Sequence, residues 1–374
     1  MLFTDVFDDV TKRGKKIPTS EYLESGKYPI IDQGQSDIAG YTNEENGLLT
    51  DVPVIIFGDH TRAVKYVDTP FFLGADGVKV LKSKINDVNY KYLYYAISSV
   101  NIPDTGYNRH FKWLKEADIQ IPSIKRQSEI VEILDNLTNL IDLHNQQLSK
   151  LDELVKSRFI ELFGDAENKI PISEMCNVTG GYSFKSGDIS NDGAIRILQI
   201  GNVYLDNVSW ETTNYLPEGY DEKYSKFLLN KDDIVIALTR PIIQSLGNVK
   251  VCIVKSSDLP CLLNQRVGRI SAKNKEKVFL EYIYGCLMTD DFSRYVESCS
   301  IGCSQPNIST KDIENYLIPN ATYEKQKVYV DFKKQVDKSK FEVQQSLEKL
   351  ETLKKSLMQQ YFGWGEKYEY TIYI

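Results

Sequence analysis

The sequence predicts an α+β protein: two mixed α/β domains separated by two long helices, the helices packed as an antiparallel coiled coil in a pseudo-two-fold arrangement. Three observations predict it. One helical segment occurs twice, each copy carries an apolar heptad, and the two stretches left over are of domain size and organised in parallel.

The first copy spans 119–164 (IQIPSIKRQSEIVEILDNLTNLIDLHNQQLSKLDELVKSRFIELFG) and the second 316–363 (YLIPNATYEKQKVYVDFKKQVDKSKFEVQQSLEKLETLKKSLMQQYFG). Both open on Ile-Pro, at Ile121-Pro122 and Ile318-Pro319, and soon reach a glutamine, Gln127 or Gln326. From that glutamine they align without gaps, Leu148 with Leu347, Leu151 with Leu350 and Leu154 with Leu353, ending on Phe163-Gly164 and Phe362-Gly363. The second copy differs at its front, with two extra residues between Pro319 and Gln326.

In the first copy Ile130, Leu134, Leu137, Ile141, His144, Leu148, Leu151, Val155, Arg158 and Leu162 follow at alternating steps of four and three. A sustained 3.5-residue period describes a helix supercoiling on a partner. The second copy keeps the seam through Val336, Val343, Leu347, Leu350 and Leu357, interrupted by Lys333, Lys340 and Lys354. Such a helix gains its stability from burying the stripe, and two copies on one chain can bury each other's. The heptads also fit a homodimerising coiled coil; duplication at about one domain's spacing favours intramolecular pairing. Proline marks where each preceding strand or loop stops, and glycine marks the helix end.

The expected division is 1–118 for the first domain, 119–164 for the first helical spacer, 165–315 for the second domain, 316–363 for the second spacer and 364–374 for a tail. The first domain holds the β-rich runs YPIID, VPVIIFG, AVKYVD and GVKVLKS; the second holds AIRILQIGNVYL, DDIVIALTR and NVKVCIVK. Tyrosine and β-branched residues punctuated by Gly, Asp and Asn read as strands and turns. Each domain then has an apolar-periodic helix, at 90–99 and 279–288, and closes on a glycine-polar loop, GYNRHFKW (106–113) or GCSQPNIS (302–309).

Composition excludes several classes. With 42% hydrophobic and 26% charged residues the chain is globular, and no run approaches the ~20 apolar residues of a spanning helix. The opening MLFTDVFDDVTKRGKK places acids before bases and lacks an apolar signal core, so the expected location is the cytoplasm. Six cysteines without a CxxC pair and three scattered histidines give no zinc-ligand spacing, so no metal is expected. The cysteines read as reduced thiols. A net charge of −7 opposes indiscriminate nucleic-acid binding but leaves room for a locally basic site.

No catalytic constellation appears. GGYSFKSGD lacks the spacing of a phosphate-cradling loop, there is no N-P-P-Y-type methyltransferase motif, and no glycine-rich cofactor loop follows a strand. The adjacent pairs Asp232-Asp233 and Asp290-Asp291 read as solvated turns, since neighbouring acids point apart.

Two dissimilar domains, each delivered into a helix by a segment such as IQIPSIKRQSEIVEILD and released by Phe-Gly, resemble a type I restriction–modification specificity subunit. The segments YPIIDQGQSDIAGY and GKKIPTSEYLESG also look like the opening sequences of such recognition domains. The resemblance spans essentially the whole chain and implies two target recognition domains, each reading one half of a split sequence in double-stranded DNA. It implies helices acting as a ruler, two methyltransferase subunits docked on them, motor–nuclease subunits joining that core, and no cofactor or catalysis of the chain's own. About 35 helical residues span on the order of 50 Å, enough to place readers one DNA turn, ~34–36 Å, apart. The alternative is a coiled-coil scaffold with β-rich ligand-binding domains.

Base edges are read by Arg, Lys, Asn, Gln and hydroxyl side chains. In the first domain His60, Thr61 and Arg62 pair with Asn108, Arg109, His110 and Lys112 as candidates. In the second they are Thr239, Arg240, Gln244, Asn264, Gln265, Arg266, Gln305 and Asn307, with Ser183 and Lys185 placed for phosphate.

Overall fold

The computed structural model describes every residue except 75, 104, 105, 107, 244–246, 300–306 and 364–374. The expected tail and the candidates Gln244 and Gln305 therefore lie outside the described residues. The chain divides into two units, one formed by Met1–Gln146 with the segment from Gln344, the other by Gln147–Val343.

The first unit opens with α1 (Phe3–Val6) and β1 (Phe7–Asp9), followed by β2 (Tyr28–Ile31), β3 (Gly40–Thr42), β4 (Val54–Gly58), β5 (Val64–Val67), β6 (Phe72–Leu73) and β7 (Val78–Ser83). Helices α2 (Tyr90–Ser98) and α3 (Phe111–Lys115) precede the long α4 (Ile124–Phe163). An antiparallel sheet runs β1-β7-β4-β5, and a smaller sheet runs β3-β2-β6 with β2 and β6 parallel. Strand β4 is buried on both faces, as its unbroken VIIF run requires. Ile55 and Phe57 join the core beneath α2, while Val54 and Ile56 join the core beneath the smaller sheet.

The second unit repeats this plan. It contains β8 (Lys169–Pro171), α5 (Ile172–Met175), β9 (Cys176–Gly180), β10 (Ile195–Leu198), β11 (Asn214–Leu216), α6 (Tyr220–Lys223), β12 (Ile234–Ala237), β13 (Ile242–Ile243), β14 (Asn248–Val249), β15 (Val251–Ile253), β16 (Cys261–Leu263) and β17 (Val267–Ala272). Then come α7 (Leu280–Leu287), α8 (Asp290–Cys299), α9 (Thr310–Asn315), β18 (Leu317–Pro319) and the long α10 (Tyr323–Phe362). Its sheets run β15-β12-β17-β9 and β11-β10-β16, again with the parallel pair, β10 and β16, in the smaller one. Two segments that share little sequence thus fold with one topology.

The long helices pack together with opposite sense. In the first unit Ile130, Val131 and Leu134 near the start of α4 share a core with Leu357, Met358, Tyr361 and Phe362 at the end of α10. In the second unit Phe159 and Phe163 at the end of α4 share a core with Tyr329 and Val330 at the start of α10. Leu134, Leu137, Val336, Val343 and Leu347 are buried, and Ile141, Leu148, Leu151, Leu350 and Leu357 are half-buried. Two of the three seam lysines are accommodated by carboxylates: Lys340 pairs with Asp152 of the other helix and Lys333 with Asp337 one turn on. Gly164 and Gly363 stop the helices, each amide donating to the carbonyl four residues back at 2.7 Å. The two extra residues of the second copy stay outside its helix, because Ser123 and Thr322 begin the helices at aligned positions and accept from Gln127 and Gln326.

The repeated glutamines have a structural task that the alignment did not disclose. Gln127, 1% exposed, accepts the Asn89 amide (2.9 Å) ahead of α2 and donates to the Pro122 carbonyl (2.8 Å). Gln326, also 1% exposed, accepts the Phe279 amide (3.0 Å) ahead of α7 and donates to Ala321 (2.9 Å). Tyr92 packs tilted against Phe362 and Tyr282 tilted against Phe163, with ring centroids at 5.2 and 4.9 Å, and each tyrosine hydroxyl donates to a backbone carbonyl, of Gln120 or Pro319.

Three local expectations change. The run AIRILQIGNVYL is a strand only over Ile195–Leu198, because the buried Asn202 turns the chain. Its amide donates to the carbonyls of Ser209 and Thr212, and its oxygen accepts from Gln199. Asp290-Asp291 opens helix α8 instead of a turn, with Asp290 paired to Lys156 and Asp291 to Arg294. Asp233 is buried and accepts the Asn230 amide, and that burial pushes its carboxyl above the usual range. Cys176, Cys252, Cys261 and Cys286 are buried free thiols, pushed by desolvation up to about 12.

Candidate nucleic-acid interface

In the first domain the candidate clusters, some fifty residues apart in sequence, meet at the exit of β4. The Asp59 amide donates to Gly77 (2.7 Å), and the His110 amide donates to the Asp59 carbonyl (2.7 Å). The Asp59 carboxylate accepts the Phe111 amide at 2.8 Å. The His60 ring Nδ1 lies 3.2 Å from the Asn108 carbonyl, and the His110 Nδ1 lies 3.0 Å from that of Asp59. Gly58 makes the crossing possible, since a Cβ there would meet the Thr61 hydroxyl at 2.2 Å and the Gln33 carbonyl at 3.0 Å.

These contacts sort the candidates. Asn108, Arg109 and Lys112 are exposed. His110 is 1% exposed, so its ring holds the loop. Thr61 donates its hydroxyl to Gln33, and Arg62, at φ 62°, reaches the Ile102 carbonyl at 3.3 Å.

The β2–β3 loop belongs to the same edge, although its side chains were not singled out in the sequence. Gln33 accepts the His60 amide (3.1 Å) and donates to the Asp76 carbonyl (2.9 Å), while Gln35 and Ser36 face solvent. Lys65, only 5% exposed, braces this loop by donating to the carbonyls of Asp32 (2.9 Å) and Ser36 (2.5 Å). Burial holds its ammonium below the usual lysine range. The polar run DQGQSD was the available signal; its neighbour across the fold was not legible.

The second domain places its candidates at the matching edge. Leu238 takes the position of Asp59, its amide donating to Arg266 (3.0 Å) and its carbonyl accepting from Ile308 (2.9 Å). Thr239 and Asn307 form a β-bridge, and Arg240 follows at φ 49°. Asn264, Gln265 and Arg266 form the turn between β16 and β17, with the Val267 amide donating back to Asn264 at 3.0 Å. Arg240, Gln265 and Arg266 are exposed, and Thr239 and Asn264 half-buried. The GGYSF segment is sewn to this turn: a Cβ on Gly181 would meet the Asn264 carbonyl at 2.0 Å, and the Tyr182 amide donates to Leu263 (3.0 Å). Ser183 and Lys185 lie exposed on that segment.

Each domain thus presents polar side chains at the exit of its central strand and on the approach to a short helix; the third loop differs, being the β2–β3 loop in the first domain and the turn between β16 and β17 in the second. Among the described residues no group of three or more His, Cys, Asp or Glu side chains gathers in metal-holding geometry.

Comparison with known proteins agrees with this duplication. The family model for the type I restriction modification DNA specificity domain matches residues 3–153 and again 166–355. The chain is 29% identical over 384 residues to the type I restriction enzyme MjaVIII specificity subunit of Methanocaldococcus jannaschii, covering 92% of this chain and 88% of that one. It is 24% identical over 324 residues to the EcoR124I/EcoR124II specificity subunit of Escherichia coli, covering 81% and 78%. The crystal structure of a type I restriction–modification S subunit from M. genitalium superposes with a TM-score of 0.59 at 18% identity, over 96% of this chain and 94% of that one. The matches fall on both halves, and the chain belongs to the type I restriction–modification DNA specificity family.

Proposed function

We propose that this chain reads an asymmetric, bipartite DNA target, one half-site per domain, on behalf of a type I restriction–modification complex. One observation carries the reading. Two domains of the same topology offer different side chains along matching edges, with Arg62, Asn108 and Arg109 in one and Arg240, Gln265 and Arg266 in the other. Equal scaffolds with unequal readers suit a target whose halves differ.

On this reading residues 1–118 and 165–315 are target recognition domains and 119–164 and 316–363 the spacers that fix the gap between half-sites. Two methyltransferase subunits dock on the helical region, motor–nuclease subunits join them, and the chain carries no catalytic step. It works where the host DNA lies, in the cytoplasm. Support for docking comes from the outer helix faces, where Leu154 and Leu353, matched positions of the repeat, are each 47% exposed. Partners would also supply positive charge that a chain of net −7 lacks.

Mapping methylated adenines in the host genome with this gene intact and deleted tests the proposal. One interrupted motif should vanish on deletion; an unchanged methylation map would overturn it. The halves should also separate. Asn108→Ala should relax the motif in one half only and Arg266→Ala in the other. Each loss should be worth about 1–3 kcal/mol in discrimination, as for a base-edge contact, measured as binding to half-site mutants by the assembled complex.

A further inference from the structure

We propose that Lys79 and Lys115, with Lys112 beside them, form a sequence-independent phosphate grip on the first domain; this rests on the DNA-reading proposal above. The ring of Phe111 is 7% exposed and anchored near Phe3 and Phe57, with centroids at 5.9 and 6.1 Å. The ammonium groups of Lys79, on β7, and Lys115, on α3, each lie 5.0 Å from the centroid of that one ring, so they are at most 10 Å apart. Lys112 extends from the same helix over Trp113 at 4.9 Å.

Holding like charges together is unfavourable unless an anion joins them. The carboxylate in contact with the group is Asp9, 3.2 Å from Lys79 and also bound by Thr11; the nearby Glu116 is exposed at the end of α3. The arrangement therefore keeps net positive charge. Its placement is fixed by the reading edge, because Asp59 binds the His110 and Phe111 amides that begin α3. Two backbone phosphates held here, one at each ammonium of Lys79 and Lys115, would set the register in which Asn108 and Arg109 meet base edges, the division of labour in which backbone contacts position and base contacts specify.

The grip belongs to the first domain alone among the described residues. Aligning the domains on Asp59 with Leu238 and on His110 with Ile308 puts Gly268, Thr310 and Ile313 where the first domain has Lys79, Lys112 and Lys115.

The test uses the full chain assembled with its methyltransferase subunits and two duplexes, one carrying the mapped target and one of shuffled sequence, with binding followed by fluorescence anisotropy across a salt series. K79Q/K115Q should weaken both duplexes alike and lower the slope of log affinity on log salt by roughly 1.8, which is 0.9 per phosphate lost. Between about 50 and 200 mM salt the unaltered protein should then lose roughly ten-fold more affinity than the variant. K79R/K115R should restore both quantities, which separates lost charge from lost folding. An unchanged slope, or a loss confined to the target duplex, would overturn the grip. A parent complex that binds both duplexes equally would instead overturn the reading itself, whatever the lysines do.

Discussion

Gln127→Ala should destabilise the first unit by about 2–4 kcal/mol while leaving the second unit's stability unchanged, and Gln326→Ala should do the reverse. Each glutamine is 1% exposed and accepts one amide while donating to a carbonyl, Gln326 to that of Lys277 (3.4 Å) as well as that of Ala321. Truncation leaves a partly buried N–H at the start of α2 or α7 without its acceptor, and such orphaned groups cost about 1–3 kcal/mol each. The loss of packed volume adds to this. Gln127→Glu gives no rescue: one oxygen still accepts the Asn89 amide, but the other meets the Pro122 carbonyl where an N–H is required. Hydrogen exchange is the suitable measurement, because it reports each unit separately. Amides of α2 should lose protection in Gln127→Ala while those of α7 keep theirs. Uniform loss across both helices would contradict the local role assigned to the side chain.

That pair of glutamines shows where sequence reading stops. The repeat announced them, and their spacing from Ile-Pro aligned the copies, yet their partners sit 38 and 47 residues upstream. The heptads were legible because a helix's periodicity is local: Leu134, Leu137 and Val343 are buried where the seam puts them. Even Lys333 and Lys340 follow from it, since a long stem can lie in the seam while its ammonium finds Asp337 or Asp152. The aromatic contacts that end each helix were not legible. Tyr92 meets Phe362 and Tyr282 meets Phe163, pairings set by chain topology and not by any nearby pattern.

The candidate loops divide in the same way. Polar turn residues marked the clusters, but composition could not separate readers from supports. His110 and Asn108 read alike in the sequence, whereas the fold buries one and exposes the other. Lys65 was invisible as a brace because its alternation in β5 suits a solvent-facing lysine. It is buried because the β2–β3 loop folds over it and supplies two carbonyls.

Inserting one heptad into each long helix, after His144 in α4 and after Val343 in α10, should lengthen the gap between half-sites and leave both half-site sequences unaltered. Seven residues advance a helix by about 10.5 Å, and at 3.4 Å per base step that is about three base pairs. Seven is the required number because it returns every apolar side chain to the seam; an insertion of five would rotate Leu148 and Leu347 out of it. Both helices must change together, since the antiparallel partners are held in register by cores at both ends. Methylation mapping in cells carrying only the double-insertion gene reads the result directly. The same two half-sites should return with the longer gap, and an unchanged gap would show that the helices do not set it. The five-residue insertion is the control that separates length from packing: it should lose methylation altogether, because a seam turned toward solvent no longer holds the two helices together.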